Sequence, residues 1–390
     1  MLVHWLWFSL LPGLNGRQKL ELLRRCSDPE DLYHEQRRPG LPEDVRHILQ
    51  NQDLNPAKRI MKQCAEKGIS ILAFSDSNYP DRLRRIDDPP LVLYCKGTVP
   101  ALDLRPVIGV VGTRSASPYG LRSAGKLSAQ IAACGGIVVS GGAFGIDSMA
   151  LRGALECGGT TIAFMAGGLD KLYPAANNAL FAQIMEKGCL LSEYPPGTAA
   201  YRGNFLRRNR LISGISNGLL VVEAPRVSGA LNTARWANEQ GRDVFVVPGN
   251  IDVESCEGSN ALIGDIARAV SDGWSVIREY AYDYPETVKQ VNIQWEMHQP
   301  PSVPEEKADK KIVDKKPDCP YSVKETPAPT LNPEEQAVFS LLTPEPVPVD
   351  SLLDQLDMAP AQVLNIITRL SLKGVVQNHP GKYVSAKHGG

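Results

Sequence analysis

Three arginines, Arg207, Arg208 and Arg210, stand together in NFLRRNRLISGIS (204–216), between the loop PPGTAAYRG and an apolar strand. A guanidinium is a planar fork suited to phosphate or carboxylate. The chain carries a net charge of −1, so no global field draws a polyanion, and any such site must be a local patch. At about 100° per helical residue, Arg207 and Arg210 share a face and Arg208 lies about 100° away. The expectation is that the first two face a ligand groove and Arg208 braces the loop.

Further anion-seeking residues sit in Gly-rich loops elsewhere. VIGVVGTRSASPYG turns from strand to helix at Gly112 and leaves Arg114 at the strand tip, poised for a phosphate. The dinucleotide fingerprint GxGxxG does not fit here, and GLRSAGKL has Leu127 where a Walker A motif needs Ser or Thr. In SGGAFGID, Ser140, Gly141, Gly142 and Gly145 form a cradle of backbone N–H groups, with Asp147 entering the next helix. GGLDKLYPAAN places Lys171, Tyr173 and Asn177 around a proline turn. A cation beside an aromatic suits a single strand, one for phosphate and one on which a base stacks; Phe205 is a second stacking candidate. Ser228 and Gly229 form the turn in VVEAPRVSGAL.

The elements that must position these loops are short apolar runs: VIGVVG, GIVVSGG, TTIAFMAGG, CLLSEY, GLLVVEA and DVFVVPG, alternating with helical segments. Such runs imply parallel strands buried on both faces, a doubly wound α/β sheet with ligand loops at the strand carboxyl ends. Residues 1–65 read as helices around LPGLNG, a helix-hairpin-helix or sterile-alpha-motif-like unit or a small interaction domain. Residues 66–285 hold the sheet. Residues 286–330, rich in Pro, Lys and acidic groups, read as a flexible linker. Residues 331–390 read as three helices and a β-wing with turns at Gly374 and Pro380–Gly381, a winged helix. The apolar start, MLVHWLWFSLLPG, lacks a basic n-region and a cleavage site and is too short for a bilayer, so a cytoplasmic protein with no membrane partner is expected. The eight cysteines show no CxxC spacing, and no metal or cofactor is expected.

Taken in order, GTRSASPYG, SGGAFGID, GGLDKLYP, LLSEYPPGTAAYRGNFLRRNRLISGIS, VVEAPRVSGALNTARWANEQGRDVFVVPG and GSNALI resemble the DNA-processing protein A (DprA/Smf) family over roughly residues 66–280. The resemblance implies an extended Rossmann-like sheet flanked by an N-terminal helical domain and a C-terminal winged helix. It further implies a homodimer that binds single-stranded DNA and hands it to a RecA-type recombinase in natural transformation and recombination. Arg114, the region of Lys171 and the RRNR arginines would contact phosphate. The chain departs at Ala175, where members often carry a base, and at Leu151, where many carry His.

Two other classes stand beside this one. Phosphoribohydrolase-like enzymes, which cleave nucleotide N-glycosidic bonds, carry a catalytic glutamate where Trp236 stands here; only Glu193 and Glu223 at strand ends could substitute, and no catalytic residue is assigned. A duplex-DNA-binding regulator would read bases with the helix APAQVLNIITRLSLKG, which offers only Arg369 and Lys373 as late cations. A protein-interaction or weak-DNA role suits that helix better.

Overall fold

The computed structural model describes residues 1–26, 28–34, 41, 43–297, 333–342, 347–353, 356, 358, 360–372, 376–379 and 383–386. The chain divides into two compact units, 1–316 and 317–390. Most of the expected linker, together with Lys373, Gly374 and Pro380–Gly381, lies outside the described residues.

The first unit opens with five helices: α1 (Leu2–Leu10), α2 (Gly16–Arg25), α3 (Pro29–His34), α4 (Glu43–Leu49) and α5 (Asn55–Glu66). Asn15 starts α2 with a reciprocal capping box, its side chain accepting from the Gln18 N–H while Gln18 accepts from the Asn15 N–H. These helices do not form a separate core. Trp5, Leu6, Phe8 and Leu49 belong to one apolar cluster with Tyr94, Met165 and Phe181 of the sheet region.

The sheet follows as β1 (Ser70–Ala73), α6 (Asp81–Arg84), β2 (Val92–Gly97), β3 (Val107–Val111), α7 (Pro118–Ala133), β4 (Ile137–Ser140), α8 (Ile146–Glu156), β5 (Thr161–Phe164), α9 (Asn178–Lys187), β6 (Cys189–Ser192), α10 (Arg202–Ile215), β7 (Gly218–Val221), α11 (Gly229–Glu239), β8 (Asp243–Val246), α12 (Glu254–Ala261), β9 (Ala267–Ala269) and α13 (Gly273–Ile277). The strand order is β1-β2-β6-β5-β4-β3-β7-β8-β9. From β6 to β9 every pairing is parallel, and β1 and β2 add an antiparallel margin. All six apolar runs of the sequence form strands of this sheet, and the short β9 has no comparable run.

Strand side chains alternate between faces. Val107 and Val111 meet Leu211, Ile212 and Ile215 of α10 and Ala234 of α11. Ile108 and Val110 meet Leu127 and Ile131 of α7, Met149 of α8 and Ile277 of α13. The sheet is therefore wound on both faces. The chain steps outward from β3 to β6, and α10 then carries it back across the sheet to β7 on the other side of β3. Order reverses at the β3/β7 boundary, where open α/β sheets bind ligands.

Residues 287–297, expected to begin the linker, instead lie along α7. Thr287 Oγ donates to the Leu104 carbonyl, Val288 is buried, and Trp295 donates from its indole N–H to Glu156 at 2.7 Å. A Cβ at Gly125 of α7 would overlap the Trp295 ring, so that glycine makes room for the indole. The described residues include no helix long and apolar enough to cross a membrane.

The second unit comprises α14 (Pro333–Ser340), β10 (Val347–Pro348), α15 (Val349–Leu353), α16 (Pro360–Leu372), β11 (Val376–His379) and β12 (Tyr383–Ala386). Its sheet order, β10-β12-β11, makes the expected wing with one extra short strand. Val338, Leu352, Val363, Ile366 and Leu370 form its core.

Because the indole of Trp295 is half-buried, Trp295→Ala should cost the first unit about 1–3 kcal/mol. Urea unfolding of the full chain, followed by a probe in that unit, measures this.

Candidate nucleic-acid interface

Helix α10 enters the site as the crossover from β6, so its first turns lie beneath the loops at the carboxyl ends of the strands. The helical period holds: Arg207 and Arg210 lie on one side. That side, however, meets carboxylates rather than an open groove. Arg210 is buried and donates from Nη1 and Nη2 to the two oxygens of Glu193, at 2.9 and 2.7 Å. Its Nε donates to the Asp88 carbonyl at 3.0 Å and lies 3.2 Å from the Asp88 carboxylate. Arg207 is more than half exposed and leans toward the same two acids, 3.5 Å from Glu193 and 3.9 Å from Asp88. The expectation that Arg210 faces the groove is thus corrected: its donors are used inside the protein.

Arg208 takes the inner position. It is buried, donates from Nη1 to the Phe164 carbonyl at 2.8 Å and faces Asp147. Burial pulls its guanidinium down to about 10, which leaves it cationic at neutral pH. Burial likewise lifts the Asp147 carboxyl above its ordinary range, against the pull of Arg208. A Cβ at Gly141 would overlap the Arg208 guanidinium, so the cradle expected around Gly141 is already filled by a cation of the chain itself.

Other parts of that cradle are also engaged internally. Ser140 is buried and donates its hydroxyl to the Val110 carbonyl at 2.6 Å, which corrects the expectation of a ligand contact. The Ala143 N–H points to Asp147, and the Ile146 N–H donates to the Thr113 carbonyl. Gly145 has a φ of 74° and its missing Cβ leaves space for the Thr113 and Arg114 carbonyls. Gly112 lies against Ile146 with no room for a side chain. Asn177 is buried and donates to the Gly142 carbonyl at 3.0 Å, a brace between two loops. Ser228 caps α11, accepting from the Ala230 N–H, and the Gly229 carbonyl accepts from Asn209 of α10.

What remains open is a line of cations and rings. The exposed Arg114 sets its guanidinium 4.6 Å from the centre of the Phe205 ring. Arg208 approaches the same ring at 5.8 Å, and Tyr173 meets it edge-on with centroids 6.0 Å apart. Tyr173 is 41% exposed and Phe205 partly so, and Lys171 is exposed two residues before Tyr173. The structure therefore brings Arg114, Tyr173, Phe205 and Arg208 into one cluster, with Lys171 at its margin. Two guanidiniums against one ring hold Phe205 by cation–π attraction.

Glu223, at the end of β7, is buried and fully occupied. It accepts from the Ser117 N–H at 3.1 Å, from the Ser117 hydroxyl at 2.9 Å and from the Ser255 hydroxyl. Ser117 is the N-cap of α7, so Glu223 also neutralises the positive end of that helix. Sequence reasoning missed Ser117, Ser255, Asp88 and Asn209. Ser117-Pro118 carried a readable helix-start signal; the other three come from distant segments that no spacing connects.

The mostly parallel sheet, with its cation–aromatic cluster beyond the strand ends, and the winged unit that follows it in the chain define an α/β protein of two units. The model of the family described as DNA recombination-mediator protein A matches residues 70–281, and that of the DprA winged helix domain matches 322–382. The chain belongs to this DNA recombination-mediator family. Protein Smf of Synechocystis sp. is 38% identical over 281 residues, 68% of this chain and 69% of that protein. DNA processing protein DprA of Bacillus subtilis is 38% identical over 237 residues, 61% of this chain and 77% of that protein. Among solved structures, DprA from Streptococcus pneumoniae superposes with a TM-score of 0.62 at 32% identity, over 72% of this chain and 98% of that one. DprA from Helicobacter pylori, solved for its single-stranded DNA binding mode, superposes with a TM-score of 0.50 at 31% identity, over 55% and 97%.

The buried ion pair sets a stability prediction. Burial alone would push the Glu193 carboxyl up, but Arg210 and then Arg207 outweigh it and hold it below the usual range. A depressed acid contributes stability that is present above its unfolded value, about 4.3, and lost as pH falls through the folded value. Glu193→Gln should cost about 3–5 kcal/mol at neutral pH, because it strands Arg210 among buried groups. The gap between variant and wild type should shrink as pH falls below about 4, measured by urea unfolding across a pH series.

Proposed function

We propose that this chain binds single-stranded DNA along the carboxyl edge of the sheet and acts as a recombination mediator rather than an enzyme. The observation that carries the reading is the Arg114–Phe205–Tyr173 line: an exposed guanidinium for phosphate beside two rings for bases. Non-specific single-strand binding needs this alternation of cation and stacking surface, and every base offers a π-face to such a ring. Lys171 extends the cationic margin, while Arg208 braces the Phe205 ring. The Helicobacter pylori relative, whose structure is described by its single-stranded DNA binding mode, supports the same ligand here.

The partners of the two strand-end carboxylates support a binding role over glycosidic cleavage. Glycosidic cleavage needs a carboxylate free to assist the leaving group or activate water. Glu223 is committed to Ser117 and Ser255, Glu193 to Arg210 and Arg207, and Trp236 stands where related hydrolases carry glutamate. Delivery to a RecA-type recombinase, a homodimeric assembly, action in natural transformation and a cytoplasmic location complete the reading; they are supported by family membership.

Two outcomes test it. Arg114→Ala should weaken binding of an oligothymidylate and flatten the log–log salt dependence by about 0.7, the contribution of one phosphate contact on a single strand. Phe205→Ala should cost about 1–3 kcal/mol of binding at fixed salt. Both are read by fluorescence anisotropy across a salt series. Wild-type affinity and slope in Arg114→Ala would place the strand elsewhere.

A further inference from the structure

A second cluster lies in the amino-terminal helices. His4 of α1 and Glu30 and His34 of α3 each present one ligand-type atom, and these atoms all lie within 4.8 Å of one another. Glu30 and His34 are four residues apart on one helix and so share its face. The His4 side chain is only 10% exposed, and its Nδ1 is enclosed with no hydrogen-bond partner. That nitrogen lies 3.4 Å from Glu30 Oε2. The amino-terminal ammonium contacts the same oxygen at 3.2 Å. The two imidazoles stand 6.0 Å apart at 65°.

A buried imidazole nitrogen beside a carboxylate, without an aligned hydrogen bond, is what a ligand pair around a cation looks like. Zinc bonds of about 2.0–2.2 Å to nitrogen and oxygen, set tetrahedrally, separate ligand atoms by about 3.3–3.5 Å. His4 and Glu30 already meet that separation, and a side-chain adjustment of the exposed His34 closes the third edge. Two imidazoles and one carboxylate, with a fourth position open toward solvent beside the 41%-exposed Glu30, suit zinc or a neighbouring divalent transition metal. We propose that His4, Glu30 and His34 bind one such ion, which fastens the start of α1 to the end of α3. Spacing gave no hint of this site, because packing rather than sequence brings α1 to α3.

The test uses the full chain, stripped with chelator and then titrated with Zn2+. The expected result is about one ion retained per chain, with the thermal midpoint rising on addition. Glu30→Gln gives up the contacts of Glu30 with the chain terminus and His4, and His34→Ala gives up ring contacts with His4 and Tyr33, so each variant's zinc-induced rise is read against its own metal-free midpoint. Each should lower zinc affinity by at least roughly 100-fold. Co2+ bound to the wild type provides a readout independent of any variant: a visible tetrahedral spectrum without a thiolate charge-transfer band. No uptake would reduce the cluster to an ion pair among His4, Glu30 and the chain terminus. Equal uptake by His34→Ala, or a thiolate band, would place the metal on other ligands; any of these results overturns the proposal.

Discussion

The ion pair between Arg210 and Glu193 fixes α10 at the carboxyl edge of the sheet. Both groups are buried, so the pair survives desolvation only because the geometry is bidentate and because Asp88 satisfies the remaining donor. Through it α10 is locked to the end of β6 and to the proline loop before β2. Gly16 of α2 packs against the same Asp88, where a Cβ would overlap the carboxylate. The amino-terminal helices, the crossover and the sheet thus meet at one charged joint.

With α10 held there, the next residues around its circumference have fixed roles. Arg208 is driven inward to the Phe164 carbonyl and into the space beside Gly141. Phe205, one turn earlier, rides above it between two guanidiniums and against Tyr173. A Gly-rich loop that in nucleotide-binding sheets would receive a phosphate here receives an arginine. The positive charge is moved from ligand contact to support, and the exposed surface becomes rings flanked by Arg114 and Lys171. This favours an extended strand with many bases and phosphates over a single nucleotide seated in a pocket.

Much of this was legible in the sequence. The Val/Ile runs gave the parallel strands, and the Gly endings gave the side of the sheet on which ligand loops gather, because both follow from local pattern. The 3.6-residue period correctly paired Arg207 with Arg210 and separated Arg208. What the period could not supply was which side faced outward. That depended on Asp88 and Glu193, brought to α10 from separate segments by tertiary packing, and on Gly141 leaving room for a guanidinium. Ser140 misled for a similar reason: a hydroxyl at a strand end reads as a ligand donor until the neighbouring strand offers it the Val110 carbonyl. The segment 287–297 read as linker because it adjoins the Pro-, Lys- and acid-rich stretch that follows it, yet Trp295 finds a seat on Gly125.

The central claim, that the strand lies across Phe205 and Tyr173, is tested most directly by photo-crosslinking the full chain to an oligonucleotide carrying iododeoxyuridine and mapping the joined residues by mass spectrometry. This chemistry reports aromatic rings stacked on the modified base. The account predicts adducts on Phe205 and Tyr173. Adducts confined to residues 317–390, with none at either ring, would contradict it.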